Sequence, residues 1–203
     1  MNDIVETVLE SIPKAGLVVA EVSARHVHLS QADVETLFGP GATLTPKRKL
    51  SQPGQFLSEE RVTLVGPRGR KERVAILGPA RTKTQIELSK SDCVELGIDA
   101  PVRESGDVDG SGAVGIEGPK GRLDLKQGVI VARNHIHLTP ETAKVMSLHD
   151  KQRVCVELLT ERPVRFQDVI VRVSSAYSDR MHIDFDEANA ALVNGFTLGH
   201  VVR

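Results

Sequence analysis

Two alternating histidine pairs are the residues of this 203-residue chain best suited to chemistry. His26 and His28 flank a single valine, and His135 and His137 flank a single isoleucine. In a β-strand the side chains of residues i and i+2 point to the same face, so each pair would present two imidazoles side by side. Such a pair suits zinc or another borderline divalent metal. For one motif alone, a half-buried or surface histidine pair without a metal is the alternative.

Each histidine pair belongs to an internal repeat. VVAEVSARHVHLSQADVETLFG and GVIVARNHIHLTPETAKVMSLH both contain an apolar strand, Ala-Arg, His-x-His-Leu, a Ser or Thr helix cap and a helix. Chance seldom duplicates a histidine pair together with its strand and cap, so the repeat favours metal binding. A weaker third copy, MHIDFDEANAALV, places His182 before an acidic cap region and a helix, which makes His182 a further candidate ligand.

Residues 78–89, GPARTKTQIELS, are the second informative stretch. In an extended conformation Arg81, Lys83, Gln85 and Glu87 share one face, while apolar residues occupy the other. Glu87 could complete a metal shell that the histidines leave open. Arg81 could bind an anion, since its planar guanidinium matches phosphate oxygens. A solvated strand face with an internal ion pair explains the same spacing equally well.

Short runs rich in Val, Ile and Leu predict a mainly β chain. The predicted strands are Leu17–Val22, Arg61–Val65, Glu72–Leu77, Thr84–Leu88, Val129–Ala132, Arg153–Leu158 and Val169–Val173. Gly-Pro turn signals separate several of them, which favours small sheets or barrels over a doubly wound parallel sheet. The predicted helices are few and short: Gln31–Phe38, Ser89–Leu96, Pro140–Ser147 and Glu187–Asn194.

Residues 1–16 predict a short amphipathic helix followed by a linker, because Pro13 ends the helical pattern. The apolar residues that share one helical stripe are Ile4, Val5, Val8, Leu9 and Ile12.

Composition restricts the class of protein. Lys and Arg total 26 against 27 Asp and Glu, and this balance argues against nucleic-acid binding. No apolar run approaches the roughly 20 residues that cross a bilayer, so no membrane partner is expected. The N-terminus lacks a secretory pattern, and Cys93 and Cys155 do not form a C-x-x-C motif. We therefore expect a cytoplasmic protein.

Five ordered motifs resemble the PduL-type phosphate acyltransferases, the phosphate propanoyltransferases of bacterial microcompartments. They are SARHVHLS (23–30), GPARTKTQIELS (78–89), APVRESG (100–106), ARNHIHLTP (132–140) and MHIDFDEAN (181–189). The resemblance covers the chain from about residue 17 onward. It implies an enzyme that converts acyl-CoA, either propanoyl-CoA or acetyl-CoA, and phosphate to acyl phosphate and CoA at a dinuclear zinc site.

The resemblance also implies the site residues. It assigns Arg81 to the phosphate, and it assigns the ligands of the two zinc ions in two sets of three: His26, His28 and Glu87, and His135, His137 and His182. It leaves the residues that contact CoA unassigned.

The fold implied by the family is two antiparallel β-barrels capped by short α-helices. β-Barrel 1 would be discontinuous, from residues 17–24 and 133–203, and β-barrel 2 would span residues 25–132 with a small lid insertion around 39–59. A homodimer is expected, and the N-terminal helix is expected to dock onto microcompartment shell or cargo proteins, which would place the enzyme inside a microcompartment.

Two other functions stay open on the residues alone. A zinc-dependent hydrolase, in which water rather than phosphate attacks the acyl group, uses the same ligand types. A non-catalytic, metal-stabilised microcompartment module would have closed metal shells without solvent positions and would turn over no acyl-CoA.

Overall fold

The computed structural model describes residue 7 and residues 10–202 of the chain, which divides into two units. One unit contains the described residues up to Ser23 together with those from Arg133 onward, and we call it the split barrel. The other unit is Ala24–Ala132, which we call the continuous barrel.

Strands provide most of the regular structure. In chain order they are β1 (Leu17–Val22), β2 (His26–His28), β3 (Pro46–Lys49), β4 (Phe56–Val65), β5 (Arg70–Gly78), β6 (Gln85–Glu87), β7 (Val102–Arg103), β8 (Gly112–Glu117), β9 (Arg122–Ala132), β10 (His135–Leu138), β11 (Arg153–Leu158), β12 (Arg165–Val173), β13 (Arg180–Ile183) and β14 (Thr197–Val202). The helices are α1 (Gln31–Phe38), α2 (Lys90–Leu96), α3 (Pro140–Val145) and α4 (Phe185–Ala190). Residues 10–14 form one further helical segment. None of the described helices combines the length and the apolar character needed to span a membrane.

The split barrel is a closed ring of six strands in the order β1-β13-β10-β12-β11-β14. Alternate residues point inward, and the interior is filled by fully buried side chains such as Ile136, Leu138, Val156 and Met181. This apolar interior fixes the register of the strands, because a slip by one residue would turn the buried face outward.

The continuous barrel closes in the same way. Its ring runs β4-β5-β2-β6-β9-β8 and returns to β4, while β3 and β7 extend it beside β4 and β9. Val27, Leu29, Ile76 and Ile86 are fully buried in its core. Val27 lies between the two histidines of β2, so the core side of this strand is held by packing against the barrel interior.

The predicted fold class, mainly β with two barrels and a few short helices, is confirmed. One detail differs from the expectation of antiparallel barrels. In each barrel two of the six pairings are parallel: β1 with β13 and β10 with β12, then β2 with β5 and β6 with β9. The reason lies in the connections, because a helix and an antiparallel strand pair follow β10 and bring β12 back in the same direction.

A helix and an antiparallel pair of strands follow each of four strands. After β2, β6 and β10 it comprises α1 with β4 and β5, α2 with β8 and β9, and α3 with β11 and β12. After β13 it comprises α4 and β14, and the second strand of the pair is β1, from the other end of the chain. The split barrel is discontinuous because its fourth unit is completed by β1.

Several predicted elements have the bounds that the structure gives them, among them Leu17–Val22, Gln31–Phe38 and Arg153–Leu158. The strand β8 was not predicted, since its two glycines interrupt the apolar run. Residues 46–49 of the expected lid insertion form the exposed strand β3, and the lid role stays a prediction.

The predicted N-terminal stripe is described only in part. Its residues Ile4, Val5, Val8 and Leu9 lie outside the described residues. The described part of the segment is helical over residues 10–14 and ends in a turn at Gly16, whose φ is +73°.

Leu138 tests the packing of the split barrel. It is fully buried directly after the second histidine pair, so Leu138→Ala should lower the free energy of unfolding by about 2–5 kcal/mol. Leu159→Ala makes the same change at a side chain that is 51% exposed and should stay within about 0.5 kcal/mol of the parent protein. Urea unfolding measures both, and equal effects of the two variants would contradict the proposed packing.

Candidate metal centres

The described residues contain two groups of three side chains whose ligand atoms converge. His26, His28 and Glu87 form one group in the continuous barrel, which we call the His-His-Glu cluster. The other, called the three-histidine cluster, lies in the split barrel and consists of His135, His137 and His182. Within each group the ligand atoms lie within 4.8 Å of one another. The structure thus brings each predicted set of three together, and its role in metal binding stays a prediction.

Strand pairing positions both clusters in the same manner. β2 runs antiparallel to β6, and His26 lies directly opposite Glu87. β10 runs antiparallel to β13, and His135 lies directly opposite His182. Opposite residues on one face have Cβ atoms about 4.5–5.5 Å apart, close enough for their side chains to reach a shared ion. The second histidine of each pair then adds a third ligand from the same face.

The four ligand-bearing strands also end alike. In each, the last ligand stands two residues before a helix N-cap whose side chain accepts a hydrogen bond from the backbone N–H three residues on. The ligand and cap pairs are His28 and Ser30, Glu87 and Ser89, His137 and Thr139, and His182 and Asp184. Each cap fixes where its strand stops and so fixes the depth at which the ligand lies.

The geometry of the His-His-Glu cluster fits a tetrahedral metal. The Nε2 atoms of His26 and His28 are 3.2 Å apart, and His26 Nε2 is 3.5 Å from Glu87 Oε2. Zinc bonds of about 2.0–2.1 Å place tetrahedral ligands about 3.3 Å from one another. The His26 Nδ1 atom is 2.8 Å from the carbonyl oxygen of Ala24, so the Nδ1–H donates there and Nε2 keeps its lone pair for an ion.

The three-histidine cluster has the donor set of an open zinc site. Its ring centroids are 4.6 Å apart for His135 and His137 and 5.2 Å apart for His135 and His182. His135 Nδ1 lies 2.8 Å from the Arg133 carbonyl, which repeats the arrangement at His26 and again directs Nε2 inward. The Tyr177 ring stacks on His137 at 4.1 Å and supports its orientation. Three protein ligands leave a fourth position for substrate, as in catalytic zinc sites.

Electrostatics prepare the His-His-Glu cluster for a cation. Burial, with the nearby charges of His26 and Arg81, lowers the pKa of His28 to about 3, so this imidazole is neutral at physiological pH. Burial alone would raise the pKa of Glu87, but the charge of His26 holds it well below its ordinary value. Burial opposes the proton on His26, yet the Glu87 carboxylate raises the His26 pKa. A buried neutral imidazole and a carboxylate thus face the position that a metal would occupy.

Arg81 lies beside the same cluster. Its backbone N–H donates to the Leu29 carbonyl at 2.8 Å, and it forms an isolated parallel bridge with Ser30. Its positive charge opposes protonation of both His26 and His28. The structure therefore places a fixed cation next to ligands that would hold a metal, which is a suitable environment for an anion.

Several supporting residues were not predicted from the sequence. Gln85 and Ser105 donate hydrogen bonds to Glu87 at 2.6 and 3.0 Å. The Gln85 position was visible as part of the polar strand face, two residues before Glu87. Ser105 lies in the APVRESG motif, but its contact with Glu87 depends on a loop path that no local pattern specifies.

The residue before each histidine pair contacts the helix that follows the third ligand. Arg25 Nε donates to Asp92 Oδ2 at 2.8 Å, and Asn134 Nδ2 donates to Glu187 Oε1 at 2.8 Å. Burial would raise the Asp92 pKa, but the hydrogen bond and charge of Arg25 lower it. Asn134 carries no charge, so burial raises the pKa of Glu187 to about 7. Equivalent positions thus hold an ion pair in one barrel and a titratable acid in the other.

The fold and the site define a protein of two six-stranded β-barrels, each with a cluster of three side chains that could hold a metal ion. The family model for phosphate propanoyltransferases matches residues 19–194. A phosphate propanoyltransferase of Clostridioides difficile is 44% identical over 203 residues, covering 100% of this chain and 96% of the relative. One from Priestia megaterium is 47% identical over 192 residues (95% and 88%), and one from Rhodopseudomonas palustris is 48% identical over 173 residues (85% and 76%).

The chain belongs to the phosphate propanoyltransferase family. The prediction of a phosphotransacylase enzyme, made from the five motifs, is confirmed.

Glu187 predicts a pH dependence of stability. Its pKa is about 7 in the folded state against 4.5 as the ordinary value, so the folded state binds more protons between these limits. Stability from this group is full below pH 4.5 and falls as pH rises to 7, by an amount on the order of 3 kcal/mol. Glu187→Gln can keep the capping hydrogen bonds and removes this loss.

The measurement is urea unfolding of metal-free protein at pH 5 and pH 8. The free energy of unfolding of Glu187→Gln, minus that of the parent protein, should be larger at pH 8 than at pH 5. The matched control is Glu161→Gln, at an exposed position. A difference between Glu187→Gln and the parent that is the same at both pH values would show that the buried carboxyl does not titrate as described.

Proposed function

We propose that this enzyme interconverts propanoyl-CoA or acetyl-CoA and phosphate with the acyl phosphate and CoA, at a site that holds two zinc ions. The observation that carries the proposal is the His-His-Glu cluster with Arg81 beside it, accompanied by a second three-ligand cluster of the same construction. Each ligand set leaves room for a substrate atom on its ion. We propose that both ions act in the same reaction.

The reaction exchanges one bond to the acyl carbon for another. A phosphate oxygen attacks the thioester carbonyl carbon, a C–O bond forms, the C–S bond breaks, and the electron pair leaves with the CoA sulfur as a thiolate. When bound, zinc would supply Lewis-acid stabilisation of the negative charge that develops on the carbonyl oxygen and the sulfur.

Arg81 is proposed to bind and orient the phosphate. Its planar guanidinium donates to two oxygens at once and stays charged at every physiological pH. Holding phosphate against the acyl carbon turns a chance encounter into a positioned reaction. His28 is neutral and Glu87 is ionised, so these side chains are suited to ligation rather than to proton transfer.

Direct transfer to phosphate requires no nucleophilic side chain, and we propose no covalent acyl-enzyme. Cys93 is fully buried in the core of the continuous barrel, where a substrate has no access. Propanoyl and acetyl groups differ by one methylene, which a pocket distinguishes by only about 1–3 kcal/mol. Both acyl-CoA thioesters are therefore proposed as substrates.

The decisive experiment measures thiol release from propanoyl-CoA. Release should depend strictly on added phosphate, should stop after chelation and should return with zinc. His135→Ala should lose activity and one of the two bound zinc ions. Arg81→Gln should keep both ions and raise the KM for phosphate about tenfold or more, because it loses a charged contact to the anion.

Each alternative function predicts a different result in the same assay. Thiol release that continues unchanged without phosphate would favour the zinc-dependent hydrolase. Zinc binding without turnover of either acyl-CoA would favour a non-catalytic microcompartment module. Full activity of His135→Ala would remove the proposed role of the three-histidine cluster.

We also propose that residues 1–16 direct the enzyme to a microcompartment, where it contacts shell or cargo proteins, and that the enzyme is a homodimer. The largely exposed helical residues 10–14, which precede the turn at Gly16, support a docking role for this segment.

Deletion of residues 1–14 tests the targeting proposal. Thiol release by the shortened enzyme should be unchanged, because the deletion stops before β1 and leaves both clusters intact. Co-purification with microcompartment shells should be lost, and sedimentation of both forms reports the oligomeric state. Shell association that survives the deletion would show that another surface directs the enzyme.

A further inference from the structure

The two oxygens of the Glu87 carboxylate have different surroundings. Oε1 accepts hydrogen bonds from Gln85 Nε2 at 2.6 Å and from Ser105 Oγ at 3.0 Å. Oε2 lies 3.5 Å from His26 Nε2, on the side where the three ligand atoms converge. One oxygen is therefore held by donors of the protein, and the other is presented to the position of an ion.

The orientation of the Gln85 amide follows from its neighbours. The backbone N–H of Gly106 lies 2.7 Å from Gln85 Oε1, and because an N–H can only donate, this atom must be the oxygen. Nε2 then carries two hydrogens, one for Glu87 Oε1 and one for Ser105 Oγ, which is 2.8 Å away. The single hydroxyl hydrogen of Ser105 remains for Glu87. Gln85 is only 3% exposed, so water does not compete for these bonds.

We propose that Gln85, assisted by Ser105, is a positioning residue that restricts Glu87 to binding its metal through Oε2 alone. The inference rests on the proposed function, because it requires an ion in the His-His-Glu cluster. A carboxylate that used both oxygens would occupy an additional coordination position. If Glu87 binds through one oxygen, the ion has three protein ligands, one from Glu87 and one from each of the two histidines. A fourth coordination position is then left for the substrate.

The equivalent positions of the split barrel show why only the His-His-Glu cluster needs a residue that positions a ligand. Arg180 stands opposite His137 as Gln85 stands opposite His28, so the two residues are equivalent in register. Arg180 donates to the Asp179 carbonyl. The third ligand there is His182, and an imidazole directs one nitrogen to an ion, so it has no second mode of binding to exclude.

The first test is zinc affinity of the His-His-Glu cluster, measured by chelator competition in full-length protein that carries His135→Ala and His182→Ala. Gln85→Met keeps the side-chain size and removes the donors, so it should weaken zinc binding about 10–100-fold. Gln127→Met is the matched control. Gln127 also accepts from a glycine N–H of the same loop, that of Gly110 at 2.9 Å, and should leave the affinity unchanged.

The second test reads the coordination itself. Cobalt(II) in place of zinc absorbs visible light strongly when four-coordinate and weakly when more ligands bind. Gln85→Met should reduce this absorption, because Glu87 is then able to use both oxygens. Ser105→Ala should change it in the same direction but less, since the bond from Gln85 to Glu87 remains, and Ser105→Thr should restore the parent spectrum.

The outcomes separate this inference from the proposed function. If Gln85→Met binds zinc as the parent does and gives the same cobalt spectrum, Gln85 does not position Glu87, whatever the enzyme catalyses. If the parent cluster binds no metal, the dinuclear mechanism fails. If Gln85→Met does not fold, the cobalt spectra of Ser105→Ala and Ser105→Thr provide the test. Identical spectra for these two variants would overturn the inference.

Discussion

The strand register that places each first histidine opposite the third ligand is the constraint on which both candidate centres depend. His26 faces Glu87 across β2 and β6, and His135 faces His182 across β10 and β13. A slip by one residue in either pairing would turn a candidate ligand into the barrel core and an apolar residue toward the cluster. The cores prevent this slip, since Val27 and Ile136 are fully buried between the paired histidines. Barrel packing and metal geometry are thus parts of one arrangement.

The ligand sets differ in charge although their frameworks are alike. The His-His-Glu cluster includes a carboxylate, that of Glu87, whereas the three-histidine cluster includes none. The neighbouring residues follow the same division: Arg81 and the Arg25–Asp92 ion pair belong to the continuous barrel, and the uncharged Asn134 to the split barrel. Bound ions of equal charge would therefore experience different fields, which suits a reaction with two unlike partners, an anion and a thioester.

The sequence predicted the elements better than their arrangement. The caps and the apolar runs are local patterns, so strands such as Leu17–Val22 and helices such as Gln31–Phe38 were predicted from them. The parallel pairings were not, because they depend on which strands become neighbours after a helix and a strand pair intervene. The Gln85–Ser105–Glu87 contacts were missed for the same reason, since Ser105 reaches Glu87 only through the folded path of residues 103–106. Family motifs supplied the assignment of both ligand sets, which spacing alone left open.

Completion of the split barrel by β1 has a consequence for the order of the chain. Leu17 pairs with His200, and the Val201 N–H donates to the Gly16 carbonyl, so the first strand begins where the last one ends. In a circular permutant, the two termini would be joined and the chain would be opened between residues 132 and 133. Such a chain would contain the same strands, but each barrel would come from one continuous stretch of sequence. The discontinuity of the split barrel is therefore a property of the chain order, and the strand pairings themselves do not require it.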